Sequence, residues 1–164
     1  MKDLLEKISS YNIFNYLLPG VVFVAISSSL TGYNLIQDDV LIAIFLYYFI
    51  GLVISRIGSV VVEPTLKRLR FVKFSEYRDY IRAAEKDTLI EVLSEANNMH
   101  RTFLSLFLCL AVLKAFEVLT GYCPILDYSL PAIIVIGLLL LFAFSYRKQT
   151  VYISRRVSSA NDKD

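Results

Sequence analysis

The stretch VLIAIFLYYFIGLVISRIGSVVV, from Val40 to Val62, decides the class of fold. It carries one charged side chain, Arg56, and is otherwise dominated by aliphatic and aromatic residues. A helix needs about 20 mostly apolar residues to cross the hydrocarbon core of a bilayer, and this stretch is long enough. The sequence therefore predicts a transmembrane helix here.

Three further apolar stretches lie on either side, at about Ile13 to Leu30, Phe103 to Leu119 and Leu130 to Tyr146. Hydrophobic residues make up 56% of the 164-residue chain and charged residues only 20%, too few to cover four buried helices in water. The same composition excludes a disordered chain, and two cysteines exclude a disulfide scaffold. We therefore expect an all-α integral membrane protein with four transmembrane helices.

Lysine and arginine predict the orientation of these helices. Two precede the first stretch, eight lie between the second and third, and five follow the fourth, whereas the two short loops have none. Because loops rich in Lys and Arg stay on the cytoplasmic side, both termini and the central region are expected in the cytoplasm.

Four parts of the chain follow from this topology. They are 1–62, an N-terminal interfacial helix and the first transmembrane hairpin; 63–102, a cytoplasmic helical region; 103–146, the second hairpin; and 147–164, a basic cytoplasmic tail. Glu63-Pro64 is expected to break the second span, and Pro64 suits a first helical position. Asp87 is a candidate cap for a helix that continues, as a cytoplasmic stalk, into the third span.

A short repeat links the two hairpins. Leu30-Thr31-Gly32-Tyr33 recurs as Leu119-Thr120-Gly121-Tyr122. One interpretation is shared capping, with both glycines in the left-handed conformation that ends a helix. The other is a tandem repeat of two hairpins. The match alone does not decide between them.

The second span carries a candidate pore or packing face, composed of Gly51, Ser55, Arg56 and Ser59. Small residues four apart allow helices to approach closely, but serines beside an arginine could also line water. An arginine within a span costs about 2.5–3.5 kcal/mol on insertion scales, so Arg56 either snorkels to the headgroups or joins a ring around a pore. Four such helices pack shut, so conduction would require a homo-oligomer; a tetramer is the working expectation.

A basic and aromatic segment follows the second span. Its candidate ligand-binding residues for an anion are Lys67, Arg68, Arg70, Lys73, Arg78 and Arg82. Interleaved aromatic rings could stack on bases while the cations hold phosphates. The alternative is contact with the anionic lipids of the bilayer, which needs only the charge.

Lys114 and Glu117 in the third span are one turn apart and are predicted to form an intramembrane ion pair, either structural or part of a transporter. No catalytic constellation is present, because His100 is the single histidine and the glycines are too scattered for a phosphate-binding loop. The sequence therefore predicts no enzyme, no metal site and no cofactor.

Several stretches carry a family resemblance. They are Asn15-Tyr16-Leu17-Leu18-Pro19-Gly20, the run from Tyr48 to Ser59, Glu63-Pro64 and Asn97-Asn98-Met99-His100-Arg101. In these residues the chain resembles the small four-span membrane effectors of bacterial two-gene antiphage defence systems, in particular the Hailong type. The resemblance implies an oligomeric ion channel of the bacterial inner membrane whose opening depolarises the infected cell. It also implies a nucleotidyltransferase partner and, on the cytoplasmic side, a bound DNA oligomer made by that partner.

These observations support two functions. The first is a homo-oligomeric transmembrane ion channel gated by an anionic cytoplasmic ligand or a partner protein. The alternative is a non-conducting membrane anchor that recruits a soluble partner through the stalk from Asp87 to Arg101.

Overall fold

A computed structural model describes residues 13–123 and 125–161, of which 85% are helical, with no strand among them. The helices are α1, a π-helical turn Ile13–Leu17 followed by the α-helix Leu18–Leu30; α2, Val40–Ile57, continued by the π-helical Gly58–Val62 and the α-helical Glu63–Arg68; α3, Tyr77–Ala84; α4, Leu89–Tyr122; and α5, Ile125–Asn161. The predicted interfacial helix at residues 1–11 lies outside the described residues.

Three of these helices are long and apolar enough to cross a membrane: Val40–Arg68, Leu89–Tyr122 and Ile125–Asn161. The apolar helix in α1, Asn15–Leu30, is shorter. The prediction of an all-helical chain with several helices of membrane-spanning length is therefore confirmed, whereas the fourth span and the orientation stay predictions.

The predicted break of the second span at Glu63-Pro64 is wrong, but Pro64 does lie in the first turn of the α-helical segment Glu63–Arg68, as predicted. Pro64 lies inside a continuous helix of 29 residues. Proline lacks an N–H donor and its ring crowds the preceding turn. The chain is wound as a π-helix from Gly58 to Val62, directly before it, and a wider turn of this kind relieves such crowding.

Instead, α2 ends at Arg68 in a compact turn. Arg70 adopts a left-handed backbone with φ of 58°. The N–H groups of Arg70 and Phe71 donate to the carbonyls of Lys67 and Leu66, at 3.1 and 3.0 Å. These two bonds form a Schellman motif, which here places the basic aromatic segment beside the end of α2.

Helices α1, α2 and α4 form the packed part of the bundle. A Cβ built on Gly20 would overlap the backbone carbonyl of Tyr47, and one on Gly51 would overlap that of Tyr16, so the backbones of α1 and α2 are in contact. Beside this contact, Ile54 of α2 packs with Leu106 of α4 in the apolar core.

Helix α5 is packed much less. Among the described residues it contributes one buried side chain, Leu141, and 6% of its most apolar window is buried, against 22% in α2 and in α4. Its ring contacts are made from Phe142 onward along the chain, where Phe142 stacks on Phe49 and Tyr152 on Tyr77. The side chains at 131–137 are exposed.

The N-cap of α4 is Thr88, one residue after the predicted Asp87, although the Asp87 carboxylate accepts a hydrogen bond from the N–H of Leu89 at 2.9 Å. The helix then runs without a break to Tyr122.

Gly121 lies inside this helix, and no glycine among the described residues has a positive φ. The interpretation of the repeat as two left-handed glycine caps is therefore wrong.

Candidate anion-binding site

One buried carboxylate joins three helices at the end of the bundle where α2 finishes and α4 begins, which we call the basic end. Glu63 of α2 is 6% exposed. Its carboxylate oxygens lie 2.9 Å from Lys67 Nζ, 2.6 Å from Arg101 Nη1 of α4 and 3.3 Å from Lys148 Nζ of α5. These four residues, the Glu63 cluster, contain three cations and one anion, so the cluster carries an excess of positive charge.

Lys148 also binds α2 directly. Its Nζ donates to the carbonyl of Ser59 at 2.6 Å and to the Ser59 hydroxyl at 2.9 Å. Together with the contact to Glu63, these bonds hold α5 against the π-helical part of α2. Because α5 has few buried apolar side chains, this polar contact is a main attachment of α5 to the bundle.

A cleft of about 690 Å³ opens beside the Glu63 cluster, and we call it the basic cleft. This volume is typical of sites for small ligands, which measure roughly 300–1,000 Å³. Its charged lining residues are Glu63, Lys67, Lys73, Arg101 and Arg155, and its aromatic ones are Phe74, Tyr77, Tyr80 and Tyr152. Four cations against one carboxylate favour an anionic occupant.

The aromatic side chains of the basic cleft are held in place by neighbours. Lys67 Nζ lies 4.0 Å from the centroid of the Phe74 ring. The rings of Tyr77 and Tyr152 stack with centroids 6.4 Å apart. The Tyr80 hydroxyl accepts a hydrogen bond from the Ser94 hydroxyl at 3.0 Å. Cations and aromatic rings in one cleft are the combination by which proteins bind single-stranded nucleic acid. Here Tyr77 and Tyr152 stack on each other, which leaves Phe74 as the exposed ring.

Arg101 has unused capacity for hydrogen bonding. Its Nη1 contacts Glu63, while its buried Nε has no hydrogen-bond partner among the described residues. A guanidinium carries five N–H donors and often binds a carboxylate or phosphate through two parallel bonds. Because Arg101 lines the basic cleft and bonds Glu63 through Nη1 alone, the part of its guanidinium that faces the cleft is a candidate for binding a further anion.

The six predicted ligand-binding cations separate into three groups. Lys67 and Lys73 line the basic cleft. Arg78 lines a neighbouring cleft of about 570 Å³. The remaining three line neither of these two clefts; they are Arg68, Arg70 and Arg82.

Sequence reasoning missed Glu63, Arg101, Lys148 and Arg155 as site residues. The spacing of Glu63 and Lys67, one helical turn, was an available signal for the first of them. No local signal marks the others, because Arg101 and Lys148 lie 38 and 85 positions from Glu63 and reach it only through packing.

The candidate pore or packing face meets the chain's own helices. Ser55 is buried and accepts a hydrogen bond from the Thr102 hydroxyl of α4 at 3.4 Å. Arg56 donates to the Tyr16 hydroxyl of α1 at 3.1 Å. Gly51 packs on α1 and Ser59 binds Lys148 of α5. Within one chain these residues make packing contacts, and a role in a pore stays a prediction.

Lys114 and Glu117 do contact each other, with 2.6 Å between Lys114 Nζ and Glu117 Oε2. Glu117 Oε1 accepts a second hydrogen bond, from the backbone N–H of Gly32 at 2.6 Å. Both carboxylate oxygens are therefore engaged, and the pair ties α4 to the chain that follows α1. This arrangement favours the structural interpretation over a transport role.

Comparison with protein-family models, with curated proteins and with solved structures finds no match to this chain.

Proposed function

We propose that the chain is the subunit of a homo-oligomeric ion channel of the bacterial inner membrane, opened or closed by an anionic ligand in the basic cleft. The observation that carries this proposal is the cleft itself, in which four cations and four aromatic side chains meet. The cleft is built against the end of α2, the same helix that carries Arg56. A ligand there is well placed to act on the candidate pore helix.

The proposed topology has four spans with both termini in the cytoplasm. Its support is the distribution of lysine and arginine, which are absent from both short loops and abundant at the basic end. Helix α1 serves as the remaining span. From Ile13 to Leu30 it is about 27 Å long at 1.5 Å per residue, close to the hydrocarbon thickness of about 30 Å.

The proposed ligand is a DNA oligomer or a nucleotide, supplied by a nucleotidyltransferase partner, and the proposed role is depolarisation of the cell in antiphage defence. The chemistry of the basic cleft supports such a ligand, because its cations can bind phosphates and the exposed ring of Phe74 can stack on a base. The partner and the role in defence rest on the resemblance to the Hailong-type effectors.

Conduction is proposed to occur between subunits. Among the described residues, the interior shared by α1, α2 and α4 is closely packed, with apolar Leu106 and the small polar Ser27 and Thr102 all fully buried. An oligomer, with a tetramer as the working expectation, would place several copies of Arg56 around one axis. A ring of arginines favours anions.

Ligand-gated conductance is the direct test. The purified protein is placed in planar bilayers, and current is recorded with and without short DNA oligomers. Arg155→Gln should weaken the response to ligand by about tenfold, the size expected for one charge-assisted contact with phosphate. Arg156→Gln is the matched control, since Arg156 is the adjacent arginine and does not line the basic cleft. A monomer that never conducts, with or without DNA, contradicts the channel proposal.

The anchor is the second candidate, and the surface of α4 favours it. Leu89, Val92 and Leu93 on the predicted stalk are exposed apolar side chains, at 64%, 54% and 67%. Such a patch suits a soluble partner protein. Arg56→Ala separates the two functions: loss of conductance in an intact oligomer supports the channel, whereas an unchanged phenotype supports the anchor. Tyr16→Phe is the control that removes only the hydroxyl bound by Arg56.

A further inference from the structure

The carboxylate of Glu63 forms ion pairs with two of the cations that line the basic cleft. Lys67 and Arg101 both contact Glu63, and both line the cleft. Lys148 contacts Glu63 as well but does not line the cleft. The same side chain is thus an anion bound by the chain's own cations, at the place where a phosphate would bind.

We propose that Glu63 is a built-in competitor for the phosphate group of the ligand, and that the exchange of partners by Arg101 transmits binding to α2. This inference rests on the proposed anionic ligand of the basic cleft. A phosphate takes Arg101, and with it Lys67, away from Glu63. The ion pair between α2 and α4 at the basic end is then broken, while Gly58 of α2 stays packed on Ser105 of α4. Lys148 keeps Glu63 and Ser59 attached to α5.

Arg101 is suited to such an exchange because its contact with Glu63 is incomplete. One guanidinium nitrogen is bonded to the carboxylate, and the buried Nε has no partner among the described residues. A phosphate has enough acceptor oxygens to bind two nitrogens of the guanidinium at once. The exchange therefore replaces a monodentate contact of Arg101 with Glu63 by a bidentate contact with the phosphate.

The position of Glu63 on α2 links the exchange to the candidate pore face. Glu63 follows Arg56 by seven residues, which is two helical turns, or about 10 Å. The π-helical segment Gly58–Val62 lies between them, and such segments are frequent at functional sites. Release of α4 at Glu63 thus acts on the part of α2 that adjoins Arg56.

Binding of tripolyphosphate to the full chain tests the competition. The protein is placed in nanodiscs of phosphatidylcholine, which has no net charge, and affinities are measured by calorimetry. Glu63→Gln should bind about tenfold more tightly than the wild type, because one carboxylate near the site is removed. Glu76→Gln is the matched control, as this exposed glutamate does not line the basic cleft, and its affinity should equal that of the wild type.

The outcomes separate the two proposals. If the wild type binds tripolyphosphate and Glu63→Gln binds it equally or more weakly, the competition is overturned while the anionic ligand stands. If neither protein binds, both are overturned. Wild-type nanodiscs that contain phosphatidylglycerol distinguish the source of the phosphate, because a lipid headgroup would occupy the cleft without added tripolyphosphate and a soluble ligand would not.

Hydrogen exchange in the unmodified protein gives a second test, which does not depend on the folding of a variant. Saturating tripolyphosphate should speed amide exchange about threefold or more in the first four turns of α4, from Leu89 to Thr102, because Arg101 in the fourth turn loses its bond to Glu63 of α2. Unchanged or slower exchange there would mean that the ligand clamps α4 instead, and the proposed release would be wrong.

Discussion

The two ends of the bundle differ in how many helices one carboxylate holds together. At the basic end, Glu63 contacts cations from α2, α4 and α5. At the opposite end, Glu117 contacts Lys114 on its own helix and the backbone of Gly32. The basic end is therefore where the positions of three helices depend on one another.

The helices also differ in how closely they pack, with α1 and α2 in close contact and α5 attached more loosely. The backbones of α1 and α2 meet at Gly20 and Gly51, whereas α5 is exposed at 131–137 and is held through Lys148 and a few rings. Without a hydrophobic force between helices in lipid, close backbone contact and polar bonds determine which helices stay together. A ligand that changes charge at the basic end would thus affect the weakly packed elements before the close pair.

The largest expected effect lies at the contact of α1 and α2. Gly51→Ala should destabilise the fold by about 2–3 kcal/mol, because its new methyl group overlaps the carbonyl of Tyr16. Gly137→Ala is the matched change in α5, where an added Cβ meets no described atom within 4 Å. It should leave stability unchanged or raise it slightly. Circular dichroism melts in detergent measure both, and equal losses would show that α5 is packed as tightly as α2.

An intermediate effect is expected for the attachment of α5. Lys148→Met should cost about 1–2 kcal/mol, since it removes the bonds to Ser59 and leaves Glu63 with one cation fewer. Faster chymotrypsin cleavage after Tyr152 should accompany this loss. Arg147→Met, at the exposed neighbouring position, should do neither. Should the two variants behave alike, the Glu63 cluster does not hold α5.

The smallest effect is expected at the opposite end. Lys114→Met combined with Glu117→Gln removes both charges, and glutamine can still accept the hydrogen bond from Gly32. Thermal stability and ligand-gated conductance should stay close to those of the wild type. Lys114→Met alone should be more damaging, because Glu117 loses its partner. Solute flux that depends on these two residues would support a transporter and contradict the structural interpretation.

Some features of the fold could be predicted because they are local. The apolar length of α2, α4 and α5 is a property of consecutive residues, and so is the hydrogen bond from the Leu89 N–H to Asp87. The end of α2 at Pro64 was predicted from a rule that is also local, but a π-helical turn accommodates the proline. The glycine caps were also predicted from a local rule, and they are wrong because α4 continues through Gly121 and no described glycine has a positive φ.

By itself, the sequence determined that this chain is apolar and helical and that most of its cations lie in two segments, because transfer free energy and charge are properties of individual residues. The tertiary structure decided which of those cations meet. Lys67 was within reach of Glu63 along one helix, but Arg101 and Lys148 arrive from helices far away in the chain. A carboxylate needs cationic partners once packing has excluded water around it, and local sequence does not specify that packing.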